Sequence, residues 1–182
     1  MAICFLHSFI NPAHEELVGR VVKESLPDCF VSLSTNILPQ KREYERTSTT
    51  VINAYVGPPV GDYLGEMIQQ LTTKGITERL MVMQSSGGIL DAESCLEKPA
   101  HFVECGPAAG VVGAEYIARN AGFKNVLTLD MGGTTAKASI IEGGSFNLAD
   151  EYEVGGGMSS SSALVGKGGY ACLLYTSPIP RD

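Results

Sequence analysis

Asp130, Gly132, Gly133, Thr134 and Thr135 fall in one run of six residues, Asp-Met-Gly-Gly-Thr-Thr, and together they supply what a phosphate group needs. Two adjacent glycines let backbone N–H groups approach an anion with no Cβ in the way, and two hydroxyls add further donors. Asp130 is placed to act as an outer-shell ligand for a Mg²⁺ that travels with the phosphates. The plainer alternative is a glycine hairpin that binds nothing, since Gly-Gly is a common solution to a tight turn.

The surrounding residues predict how that run is held. Gly106-Pro107 opens a helix with proline at its first position, where the missing N–H costs nothing. Ala108, Ala109, Gly110, Gly113 and Ala114 keep the helix surface small, so the helix is expected to lie close to whatever it packs on. Glu115 and Arg119 form an i,i+4 pair, and Gly122 closes the helix. A strand, NVLTL, then runs into Asp130; the glycine run reverses the chain into a second strand, AKASIIE; Gly143-Gly144-Ser145 makes another turn. Phe146, Leu148, Tyr152 and Val154 alternate with polar residues as a half-buried strand does, giving three antiparallel strands after the helix. Lys137, on the second strand, either reaches the same anion or faces solvent.

Upstream, residues 2–9 read as a buried strand. Asn11-Pro12 begins a helix with Leu17, Val18, Val21, Val22 and Leu26 on one stripe. CFVSL follows as a second strand, which makes a β-α-β unit with parallel strands. Arg42 to Arg46 read either as the lining of a cleft or as a solvated, salt-bridged linker. His7 reads as an ordinary core or surface histidine. A helix from Ser48 to Tyr55 is expected to break at Pro58-Pro59. Val60, Tyr63, Leu64, Met67, Ile68 and Leu71 then form the apolar stripe of another helix, closed by Lys74-Gly75. RLMVMQ is a strand. Gln84, Ser85, Ser86, Gly87 and Gly88 at its carboxyl end are a second-tier site or a plain turn. Asp91 caps a short helix that Pro99 ends. Ser85 and Ser86 have no identifiable base, and no residue is assigned as catalytic. The later GGGMSSSSALVGKGGY segment fails as a phosphate-binding P-loop, because Gly168 follows Lys167 and Ser161 stands where the first glycine belongs.

A net charge of −7 over 182 residues argues against nucleic acid or an anionic membrane as partner. No apolar run approaches the ~18 residues of a membrane span, and the first residues lack the basic start of a signal peptide. Five cysteines without C-x-x-C spacing read as thiols of a reducing compartment. These features predict a cytoplasmic protein.

Several motifs in fixed order give the chain a family resemblance: REYERTSTTVINAYVGP (42–58), MQSSGGI (83–89), GPAAGVVGA (106–114), DMGGTTAKAS (130–139) and EYEVGGGMSSSSALVG (151–166). Together they resemble the hydantoinase A / 5-oxoprolinase family, which includes acetone carboxylase subunits and belongs to the actin-like ATPase superfamily. The resemblance implies an incomplete α/β actin-like ATPase (ribonuclease H-like) fold with one phosphate-binding hairpin. It implies that 1–46 end an N-terminal domain, that 47–171 begin a hydantoinase A domain, and that 172–182 are a non-native, irregular tail. The chain then reads as an internal fragment, inactive alone, of an enzyme using ATP and Mg²⁺. That enzyme phosphorylates the amide oxygen of a cyclic amide such as a hydantoin, N-methylhydantoin or 5-oxoproline, so that water opens the ring. Asp130, Gly132, Gly133, Thr134, Thr135 and Lys137 would hold the nucleotide, with Asp130 at the metal, and a hydantoinase B-type subunit would complete a hetero-oligomer. The alternatives are an ATP-dependent carboxylase subunit of the acetone type and a non-metabolic actin-like ATPase. Lys137 stands where many superfamily relatives carry an acidic residue, so no catalytic carboxylate carries over to that position.

Overall fold

The computed structural model describes residues 1–133, 135–146, 148–149, 170–171 and 175–178, with backbone alone at Thr135 and beyond residue 146. It is a mixed α/β structure built around two helices, α3 and α5. The elements run β1 (Ala2–Ile3), α1 (Ala13–Ser25), β2 (Ser32–Leu33), α2 (Ser34–Ile37) and α3 (Glu43–Thr73). Next come β3 (Met81–Met83), β4 (Ile89–Asp91), α4 (Ala92–Glu97), a 3₁₀ turn (Pro99–Phe102) and α5 (Cys105–Asn120). The chain continues through β5 (Val126–Met131), β6 (Thr135–Glu142), β7 (Ser145–Phe146), β8 (Leu148–Ala149), β9 (Tyr170–Ala171) and β10 (Tyr175–Pro178).

The first unit is β-α-β, with β1 and β2 paired in parallel. Its strands are shorter than the apolar runs suggest. β1 stops at Ile3 because the backbone of Phe5 is taken elsewhere: its N–H donates to Glu15 Oε1 at 2.7 Å and its carbonyl accepts from Arg46 at 2.6 Å. His7, at φ 57°, completes the departure from extended backbone. Helix α1 begins one residue later than expected, with Pro12 at the cap and Asn11 Oδ1 accepting from Ala13 N–H at 3.1 Å. Its buried face is Glu15 and Gly19, while Leu17 and Val21 are exposed. A buried carboxylate takes the place the apolar stripe was expected to fill.

Helix α3 is the main departure from expectation. It runs unbroken for 31 residues through Pro58 and Pro59, although each proline lacks the N–H that would serve the carbonyl four residues back. Tertiary packing on both sides of the prolines overrides that local cost. Arg46, Thr49, Thr50, Asn53, Gly57 and Leu64 are buried along it. Asn53 donates to Ser32 Oγ at 2.9 Å and accepts from Ala100 N–H at 3.0 Å, which ties the helix to β2 and the 3₁₀ turn. The segment expected as a wet linker is instead the first turn of α3, with Arg46 fully buried. Further along, Leu64 forms a core with Ala92 and Cys95, joined by Val60, Ile68, Leu80, Val82, Leu90 and Phe102. Tyr63, placed on the core stripe by periodicity, is exposed. Lys74 caps the helix, and Gly75 takes φ 82° as the closing residue must.

A Cβ at Gly57 would overlap the Phe30 ring. Alanine is the better helix former by about 1 kcal/mol, yet overpacking costs about 1–3 kcal/mol, so the clash wins. Gly57→Ala is expected to lower stability by about 1–2 kcal/mol in urea denaturation, and the loss should vanish in a Phe30→Ala background.

Strands β3 and β4 form an antiparallel hairpin around Ser85–Gly88, with Gly87 at φ 82°. Asp91 caps α4 by accepting from Ser94 N–H at 2.8 Å. The second core lies between α5 and the later sheet: Val111 and Ile141 are buried, with Ala114, Val126 and Phe146 against them. In that sheet β6 is central, antiparallel to β5 on one edge and to β7 and β10 on the other. Of the three antiparallel strands expected after the helix, β5 and β6 are present; of the third, only Ser145–Phe146 (β7) pairs with β6, and Leu148–Ala149 pairs with β9 instead. Part of the tail read as irregular is the strand β10, which places Pro178 opposite Thr135. The glycine-serine segment after residue 150, together with Tyr152 and Val154, lies outside the described residues. Among the described residues, no helix is long and apolar enough to cross a membrane. Cys4, Cys29, Cys95 and Cys105 are free thiols; burial pushes Cys95 up to about 11.

Glu15 is the acid-sensitive joint of the first unit. Burial alone would raise its carboxyl pKa. Hydrogen bonds from the Ser8 and Ser34 hydroxyls and the Phe5 and Thr35 N–H groups outweigh burial and hold it below its ordinary 4.5. A carboxylate with a lowered folded-state pKa stabilises the fold above its unfolded-state value, and that contribution disappears as pH falls through the lowered one. Thermal stability should therefore fall from about pH 5 downward, and Glu15→Gln should flatten this acid limb while lowering stability at neutral pH.

Candidate functional site

The β5–β6 hairpin presents two faces. Val126, Thr128 and Asp130 point to the α5 side; Leu127, Leu129 and Met131 point the other way and are exposed, as is Ile140. On the α5 side, Pro107, Gly110, Thr128, Asp130, Lys137 and Ser139 line part of a cleft of about 340 Å³. The run Ala108–Ala114 predicts close packing of α5 on its neighbour; Pro107, Gly110, Val111 and Ala114 instead border this open space. Helix α5 itself starts two residues before the expected place. Glu104 is its cap in a left-handed conformation (φ 67°, ψ 19°), which makes Pro107 the third helical residue and not the first. The Glu115–Arg119 pair and the closing Gly122, at φ 83°, are as the sequence predicts.

Asp130 and Lys137 stand directly opposite each other in the β5–β6 register, so their side chains share a face. Lys137 does not face solvent: it is buried, and its Nζ is paired with Glu104 Oε2. Asp130 is exposed at the mouth of the hairpin. Among the described residues its carboxylate has neither a hydrogen-bond donor nor a cation beside it. A hard, solvent-facing carboxylate oxygen suits Mg²⁺, so the residues present fit that ion. No group of three or more His, Cys, Asp or Glu side chains among the described residues forms a metal cage. Mg²⁺ bound to nucleotide needs none, because it keeps waters and phosphate oxygens as its other ligands.

The two glycines at the tip are informative by contrast. Gly143 and Gly144, in the next turn, adopt φ 63° and 87°, which favours glycine. Gly132 and Gly133 have no such φ, and a Cβ on either would meet nothing within 4 Å. Neither backbone strain nor internal crowding requires glycine at those positions. Thr134 and the Thr135 side chain lie outside the described residues.

The second-tier candidates separate from this site. Ser85 is buried, and its hydroxyl donates to the carbonyls of His101 and Val103, the former at 2.6 Å. It pins the β3–β4 turn to the 3₁₀ segment. Because β3 pairs antiparallel with β4, this turn is a hairpin and not the carboxyl end of a parallel strand. Glu104 escaped the sequence reading: its partner is 33 positions away, and nothing in HFVEC announces a left-handed helix cap.

Residues 46–169 match the family model described as Hydantoinase/oxoprolinase. The chain belongs to the hydantoinase/oxoprolinase family. Among its relatives, the caprolactamase subunit alpha of Pseudomonas jessenii is 34% identical over 174 residues, covering 93% of this chain and 25% of the relative. A protein of Methanocaldococcus jannaschii is 45% identical over 168 residues, covering 92% of this chain and 25% of the relative. The chain thus spans about a quarter of the length of these relatives. Its structure resembles nucleotide-free acetone carboxylase with a TM-score of 0.79 at 24% identity, over 97% of this chain and 24% of that one. It also resembles the ATP-dependent caprolactamase of Pseudomonas jessenii with a TM-score of 0.68 at 29% identity, over 98% of this chain and 24% of that one.

Proposed function

We propose that the protein takes part in ATP-dependent hydrolysis of a cyclic amide of the hydantoin, N-methylhydantoin or 5-oxoproline type. In this reading the β5–β6 hairpin is a phosphate-binding hairpin of an actin-like ATPase fold. The observation that carries it is the glycine tip beside an open carboxylate: Gly132 and Gly133 are unexplained by the fold, and a ligand approaching the backbone explains them. Backbone N–H groups from Gly132 to Thr135 and the Thr134 and Thr135 hydroxyls would hold phosphate oxygens. Asp130 would hold Mg²⁺ through its water shell, while Lys137, its charge met by Glu104, lies to the α5 side of the hairpin. When bound, Mg²⁺-ATP would supply the phosphoryl group for the amide oxygen, leaving as ADP, and so make ring opening by water feasible. The hairpin's part is fixed electrostatic stabilisation of the transferring group.

Family membership and the relationship to a caprolactamase subunit favour a cyclic amide as acceptor. The subunit naming of that relative favours a hetero-oligomer, here with a hydantoinase B-type partner. A second reading, an ATP-dependent carboxylase subunit, has sequence support in the acetone carboxylase beta subunit of Xanthobacter autotrophicus, 28% identical over 158 residues; the structural likeness to acetone carboxylase, at 24% identity, bears on fold alone. ADP release by the protein at the length of its relatives, with its partner subunit, separates the two. Turnover stimulated by hydantoin, 5-oxoproline or a lactam supports the amidohydrolase, and turnover that requires a ketone with bicarbonate replaces it with the carboxylase.

A further inference from the structure

We propose that Glu104 is a positioning residue that holds the Lys137 ammonium away from Asp130 and so keeps the Asp130 carboxylate open to a divalent cation. The inference rests on the nucleotide-site reading of the hairpin and adds a residue to it. Three observations converge on Glu104. First, Lys137 and Asp130 are cross-strand partners; directly opposed residues have Cβ atoms about 4.5–5.5 Å apart, well within reach of a lysine side chain. Left to themselves they would pair, and the ammonium would occupy the place of a metal. Second, Lys137 is instead drawn to Glu104 at the cap of α5, with only 9% of its side chain exposed. Third, Glu104 reaches it from a left-handed backbone conformation. That conformation is unfavourable for a non-glycine residue and persists only where its surroundings hold it.

The arrangement distributes charge in a useful way. Glu104 neutralises Lys137 from the α5 side of the cleft, while Asp130 remains exposed at the hairpin mouth. Removing the Glu104 charge should let Lys137 turn toward the Asp130 carboxylate, which faces it across the β5–β6 pair.

The test uses Mn²⁺ as the probe, with binding followed by electron paramagnetic resonance, and crystal structures of the same variants. Glu104→Gln should weaken Mn²⁺ binding about fivefold, the scale of a partly exposed ion pair, and place Lys137 Nζ within ion-pair distance of Asp130. Lys137→Met should bind Mn²⁺ at least as well as the parent. Glu104→Gln combined with Lys137→Met should restore affinity, a rescue that a merely structural role for Glu104 does not produce. Unchanged affinity in Glu104→Gln, or no rescue in the double variant, would overturn the proposal. If no form binds Mn²⁺, the metal reading of Asp130 fails. The crystal structures then decide the positioning role alone: Lys137 moved onto Asp130 in Glu104→Gln upholds it, and Lys137 left in place refutes it.

Discussion

Asp130→Ala is expected to abolish ATP-dependent turnover of the intact enzyme, by at least about a hundredfold in kcat, the scale on which phosphoryl-transfer and electrostatic groups act. The physical argument is that Asp130 stabilises nothing else. Among the described residues its carboxylate holds no hydrogen bond or salt bridge, and it is exposed at the hairpin mouth. Surface substitutions without partners change stability by about half a kcal/mol or less. The prediction is therefore a dissociation of two readouts: urea unfolding of Asp130→Ala should match the parent while activity is lost. Asp130→Asn, which keeps shape and removes charge, should lose nearly as much. A variant retaining a tenth or more of the parent kcat would remove Asp130 from the metal site.

The largest effect on stability is expected at Arg46, with activity lost only because the fold is lost. Its guanidinium is fully buried. It donates to Ser34 Oγ at 3.1 Å, to the carbonyls of Gln40 and Phe5 at 3.0 and 2.6 Å, and to Glu43 at 3.3 Å. The Phe9 ring lies 5.4 Å from it. Ser34 in turn donates to Glu15, so one side chain links the loop after β1, α1, α2 and the first turn of α3. Arg46→Ala strips partners from several buried acceptors at once, and breaking a buried charged group of this kind costs about 3–5 kcal/mol. Against a whole-domain stability of about 5–15 kcal/mol, that is enough to leave much of the population unfolded at 37 °C. Arg46→Lys keeps the charge but cannot serve carbonyls in several directions at once, so it should recover less than half of the loss. A loss below about 1 kcal/mol for Arg46→Ala would mean that the guanidinium is solvated.

Arg46 also marks where the sequence misleads. Arg46, Thr49, Thr50 and Asn53 fall at i, i+3, i+4 and i+7, the spacing of a helix's buried face, and all four are fully buried. A search for periodic apolar residues passes over them, because this face is polar and owes its burial to hydrogen bonds made with distant elements. Pro58 and Pro59 reinforce the error. Local propensity breaks the helix there, while the polar stripe before them and Leu64 after them lie along one helix. The β5–β6 hairpin was legible because its signals are local: a strand, a glycine turn and a second strand in direct succession. Gly122, Asp91 and the Lys74-Gly75 end were legible for the same reason, each being a cap whose chemistry is contained within a few residues. Glu104 and Glu15 were not, since each is defined by partners far away in the chain.

The central claim is that the hairpin tip binds phosphate, and Gly132 tests it most directly. A Cβ at that position meets nothing within 4 Å in the protein, so Gly132→Ala should leave the unfolding midpoint unchanged. Calorimetric titration with Mg²⁺-ATP, on the protein at the length of its relatives, should then show binding for the parent and a loss of tenfold or more for Gly132→Ala. Equal affinity in the two proteins, or no binding to either, would contradict the account and leave the hairpin as a turn.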